Sequence, residues 1–230
     1  MMFLNPYRDV GGGLPTPISY WNFDANSNDQ VGTNNGVDDL MLYNAGGVVD
    51  NRADFTSSTS SKISIPHNAS LSFGSSPFSY SMWVKFDSIK NSWFMNKRAT
   101  SGLVREYQLV YYLNGLYVSL FDSTNGGGIV TIFDWLPIIN NWYHIGHTWA
   151  GGLSQPKLFL NGAEVGTAIN SGVFENTQNS SSPLVFGKAN FSNSYSLDGW
   201  MDETYLWNLE LTNAQMLEAY NKGLNGEPLI

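Results

Sequence analysis

With 230 residues, 42% of them apolar, 14% aromatic and only 13% charged, the chain has the core-forming content of one globular domain and not the balance of a disordered one. Eleven Lys and Arg stand against 19 Asp and Glu, a net charge of −8 with no basic run, which argues against a nucleic-acid partner and against attraction to an anionic membrane. No cysteine is present, so a disulfide framework, a thiol nucleophile and cysteine-held zinc are excluded, and no run of about 18 apolar residues offers a membrane span.

Residues 1–17 are expected to form an arm, because Gly11-Gly12-Gly13, Pro15 and Pro17 break regular structure. The first nine residues lack a basic segment followed by an apolar one, so they do not read as a secretory signal. The domain proper is placed at 18–230. From Ile18 the chain is a series of short runs with period-two alternation. Met82, Val84 and Phe86 share one face of a run at 81–86. Runs at 108–113 and 116–121 flank Asn114-Gly115, and a second Asn-Gly, Asn161-Gly162, follows Lys157–Leu160. Asn-Gly between alternating runs predicts a hairpin. Further strands are predicted at 142–149, 184–187 and 199–207. One helix is predicted near the end, capped by Thr212, with Met216, Leu217 and Tyr220 on one face and a stop at Gly223. Regularly spaced strands with a single late helix predict an all-β fold, a two-sheet antiparallel sandwich with one short C-terminal helix.

Several segments in order carry a resemblance. Tyr20-Trp21-Asn22-Phe23-Asp24 with Asp29 and Gly32 resembles a first strand and first loop. Phe78–Lys85, Trp142–Ile145, Leu158–Gly162 and Gly199–Asn208 followed by Leu211-Thr212 are similar to later strands of the same family. Together they resemble the laminin G-like, concanavalin A-type jelly roll over about residues 18–223. That fold hosts lectins, adhesion modules and glucanases alike, so the residues must decide function.

A glucanase needs two carboxylates across one bond. No Glu-x-Asp-x-x-Glu or Glu-x-Asp-x-Glu pattern is present, and Asp202-Glu203, being adjacent, would face opposite sides of a regular strand. His144 and His147 would also face opposite sides, against a histidine-held zinc or a catalytic triad. Asp24, Asn26, Asn28, Asp29, Asn34 and Asn35 crowd the first loop with oxygen atoms of the type Ca²⁺ takes. The resemblance implies a calcium held by Asp29, Asn34 and Asp202, with Asp24 in reserve.

Aromatic and Asn-rich segments expected to be loops suit carbohydrate, because sugar C–H faces stack on rings while amides and carboxylates bind hydroxyl pairs. These are Trp93-Phe94, the stretch from Phe121 to Trp135 with Asn125 and Asp134, and Phe191 to Tyr195. The expected ligand contacts are Trp93, Asn125, Asp134, Trp135 and Tyr195. The chain is therefore expected to be a non-catalytic binding or structural module. The sharper expectation is a virus-particle protein, a head decoration or a tail or fibre component. It would dock on neighbouring particle or surface proteins through the arm, act in many copies and hold glycans weakly. The alternative is a secreted bacterial cell-surface lectin, and a glucanase comes third.

Overall fold

The computed structural model describes residues 13–100, 104–122, 127–171, 174–177 and 180–230. Its strands are β1 Ser19–Trp21, β2 Val37–Asp39, β3 Leu42–Ala45, β4 Asn51–Phe55, β5 Lys62–Ile65, β6 Phe78–Phe86, β7 Ser92–Arg98 and β8 Arg105–Tyr112. They continue with β9 Gly115–Asp122, β10 Gly127–Asp134, β11 Trp142–Trp149, β12 Lys157–Leu160, β13 Ala163–Val165, β14 Thr167–Ser171, β15 Leu184–Phe186 and β16 Gly199–Trp207. Helix α1 spans Asn213–Leu224. Two antiparallel sheets face each other. The first runs β13-β12-β11-β6-β16-β4-β3, with β1 also on β16; the second runs β14-β10-β9-β8-β7-β15-β5-β2. This is the two-sheet sandwich that the alternation predicts.

The inner faces bury Trp21, Phe55, Phe86, Phe94, Leu116, Val118, Leu120 and their neighbours in one continuous core. Leu116, Val118 and Leu120 are alternate residues of β9, so one face of that strand points inward along its length. A second cluster lies on the outer face of the first sheet, where Tyr205, Trp207, Phe159 and Met216 are covered by α1 and by both ends of the described chain. Leu14 packs there, and the Trp207 indole donates to the Pro15 carbonyl at 2.8 Å. The boundary expected at residue 17 therefore moves: Leu14 and Pro15 already belong to the domain, because the apolar outer face of β16 needs cover. Residues 1–12 of the expected arm lie outside the described residues.

Local chemistry explains most elements, and four differ from expectation. The β12–β13 turn uses Asn161-Gly162 at φ +50° and +77°, as expected of an Asn-Gly hairpin. The β8–β9 turn instead uses Leu113-Asn114 at φ +48° and +63°, with Gly115 already paired in β9. A Cβ at Gly115 would come within 2.7 Å of the Tyr117 ring. Helix α1 has the capping box of Thr212 and Gln215, but it runs through Gly223 to Leu224. Gly223 is a packing residue there, since its missing Cβ makes room for the Trp83 indole. Trp93-Phe94, expected in a loop, lie on β7, and residues 127–134 form β10.

Candidate functional site

Strand β16 changes neighbours along one edge. Gly199–Met201 pair with β4, whereas Thr204–Leu206 pair with β1. Between them the register on β6 shifts, and Glu203 takes φ +46°. This bulge overturns the expectation of opposite faces: it changes the alternation, and Glu203 joins the outer face that Asp202 also faces. The break leaves backbone donors without strand partners, and carboxylates supply the acceptors. Asp202 Oδ2 accepts from the Val48 and Val49 amides at 2.6 and 3.1 Å, and its Oδ1 accepts from Glu203 N at 2.9 Å. Asp24 Oδ1 accepts from Asn51 N at 3.0 Å. Glu203 accepts from the Tyr20 hydroxyl at 2.6 Å and from the Tyr205 hydroxyl. Burial, and then the Glu203 charge, push Asp202 up to about 8; burial pushes Glu203 up to about 7.

The first loop is closed in the same way. Asp29 accepts from four backbone amides, those of Tyr20, Val31, Gly32 and Asn34, at 2.9–3.1 Å. The Asn34 side-chain amide donates to Ser19 and Ser70. The Asp29 oxygens are engaged by backbone donors, Asn34 Oδ1 by the Ser70 hydroxyl and Asp24 by Asn22 and Asn51. The side chains that the resemblance implies as calcium ligands are thus engaged with protein donors in this fold.

A different place gathers open recognition chemistry. On the outer face of the second sheet, β7, β8 and β9 with the 189–195 segment form a groove of about 300 Å³. Trp93 is its floor, at 7% exposure. Tyr195 lies over it at 4.6 Å between ring centroids, and Phe191 and Tyr112 meet it edge-on at 5.8 Å each. Trp93 pairs with Val110 and Val110 with Tyr117, so the rings follow from strand register. Gln108 accepts from the Trp93 indole at 3.2 Å. Arg98 and Arg105, directly opposite each other on β7 and β8, line one end. Beneath, Lys97 and Glu106 form a fully buried ion pair at 2.8 Å that ties these two strands together.

The sequence profile described as the concanavalin A-like lectin/glucanases superfamily matches residues 57–216. The chain belongs to this superfamily. No curated protein matches it. Among solved structures, domain 4 of AbnA, an extracellular arabinanase of Geobacillus stearothermophilus solved with arabinotriose, is similar at 17% identity and TM-score 0.65, covering 88% of this chain and 97% of that one. The ligand-binding domain of botulinum neurotoxin serotype D, solved with N-acetylneuraminic acid, is similar at 18% identity and TM-score 0.66, over 89% of this chain and 50% of that one. The binding domain of Paraclostridial Mosquitocidal Protein 1 is similar at 17% identity and TM-score 0.68, over 90% and 52%. The chain thus spans about half of the toxin binding domains it matches. These likenesses show the fold.

Within this concanavalin A-like domain the expected ligand contacts separate. Trp93 and Tyr195 come together in the groove. Trp135 does not: it is 8% exposed and packs on Phe86, Tyr111 and Tyr143 in the core. Asp134 is exposed on a separate shallow depression with Phe133 and Thr167. Asn125 lies outside the described residues. Sequence reasoning missed Arg98, Gln108, Tyr112 and Tyr117. The signal was the alternation of Gln108, Val110 and Tyr112 against the buried Tyr107, Leu109 and Tyr111. His144 and His147 are both buried, the first beside Trp83 and the second against Tyr80.

Proposed function

We propose that the protein is a non-catalytic carbohydrate-binding module whose site is the groove over Trp93. One observation carries this reading: Trp93, Tyr112, Tyr117, Phe191 and Tyr195 converge on one open groove that also holds a side-chain amide and guanidinium groups. Rings offer faces or edges to sugar C–H groups, and the polar groups fix hydroxyls. The volume is at the small end for such sites, about 300–1,000 Å³, which suits a short stretch of saccharide. The binding modules among the structural neighbours support the reading, under which the protein acts at a surface or outside the cell. The non-catalytic part is supported by Asp202 and Glu203, which are both buried and engaged with backbone and tyrosine donors. The virus-particle reading draws on the arm placed at residues 1–17, of which 1–12 lie outside the described residues.

The test is a glycan array followed by titration calorimetry on the best ligand. Trp93→Ala is expected to lower affinity at least about tenfold, as loss of a central buried aromatic does, with the strand signature in circular dichroism unchanged. Binding that survives this change intact would sink the assignment.

A further inference from the structure

We infer that the ligand of this groove is an acidic saccharide, a sugar bearing an oxyanion that Arg98 receives; this rests on the carbohydrate reading of the same site. Three features of the groove support it. First, Arg98 stands directly opposite Arg105 across β7 and β8. Like charges at opposed positions destabilise a strand pair, and a bound anion offsets that repulsion. Second, among the described residues no carboxylate lies within ion-pair distance of Arg98, and its Nε is buried without an acceptor. Third, the Arg98 guanidinium stacks on Phe191 at 3.8 Å. Stacking uses the face of the guanidinium and leaves its in-plane N–H edge for an oxyanion. Burial, then the neighbouring Arg105, push Arg98 down to about 10, so it stays charged at neutral pH.

The ring of such a ligand would lie against Trp93 and Tyr195 while its acidic group reaches Arg98 at the groove's end. Carboxylated and sulfated sugars share this chemistry, and the experiment separates them. Wild type, Arg98→Ala, Arg98→Lys and Trp93→Ala are applied to an array carrying neutral, carboxylated and sulfated oligosaccharides. Thermal melts check that each variant is folded. Wild type is expected to prefer acidic glycans, with affinity falling as salt rises. Arg98→Ala is expected to lose roughly ten- to hundredfold on them and to lose much less on neutral glycans. Arg98→Lys, which keeps the charge but not the planar fork, should recover part of the loss. The carboxylated and sulfated arms name the anion. Equal binding of neutral and acidic glycans, unchanged by Arg98→Ala and lost in Trp93→Ala, overturns this inference and leaves the carbohydrate site standing. No glycan bound at all, or binding indifferent to Trp93→Ala, overturns both.

Discussion

Residue by residue, carboxylates close the gaps that the strands leave. Asp29, Asp24 and Asp202 take backbone amides that no strand pairs, and Glu203 takes two tyrosine hydroxyls. The crowding of Asp and Asn in the first loop is visible in sequence, but an oxygen-rich loop reads the same whether its oxygens meet a cation or amide hydrogens. Only the fold reveals which donors are orphaned. Glu203 gives a pH test. Its folded value is raised to about 7, above the ordinary carboxyl range, so the folded state holds a proton that the unfolded state has released. Its contribution therefore favours folding at low pH and is lost as pH rises from about 4.5 towards 7. Denaturant titrations across that window should show wild type losing stability relative to Glu203→Gln. A difference between the two that stays flat with pH would refute the shift.

Among the elements, strands with a clean alternation are legible and short or interrupted ones are not. Phe78–Phe86 contains the alternating run expected at 81–86, and Gly199–Trp207 stands at its expected place although its alternation breaks at the bulge. Strand β7 escapes the pattern because Trp93, Phe94 and Met95 form an apolar run with no alternation, and the register on β8 shifts between Trp93 and Met95. Without β7 the groove stays hidden, since its floor is on that strand. Helix α1 is legible from its cap, but Gly223, which reads as a stop, is a close approach. Gly223→Ala should therefore destabilise. The helix propensity of alanine favours it by about 1 kcal/mol, yet its Cβ would come within 2.4 Å of the Trp83 indole nitrogen. Overpacking of this kind costs about 1–3 kcal/mol, so a lower melting temperature is expected; a rise would show that the helix moves aside freely.

For the whole molecule, the two sheets have separate tasks. The first sheet buries part of its outer face under α1 and both ends of the described chain, and the second keeps an outer groove open. The sandwich itself is readable from alternation and turn residues. The division of labour is not, because it depends on which strands the long connections bring side by side. Because the first-loop and β16 carboxylates are already satisfied, thermal unfolding should be the same in chelator and in millimolar calcium. A calcium-dependent rise of several degrees would mean that Asp24 and Asp202 rearrange around an ion.

Leu14 and Leu229 both come to rest on the outer side of the first sheet, with the Leu229 amide donating to the Tyr205 hydroxyl at 3.0 Å. A tether attached at the C-terminal end leaves from the back of the molecule, and the aromatic groove then looks away from whatever the tether is fixed to. Immobilised on a sensor chip by a tag at the C-terminal end, the domain should present its recognition side to the passing solution without a spacer.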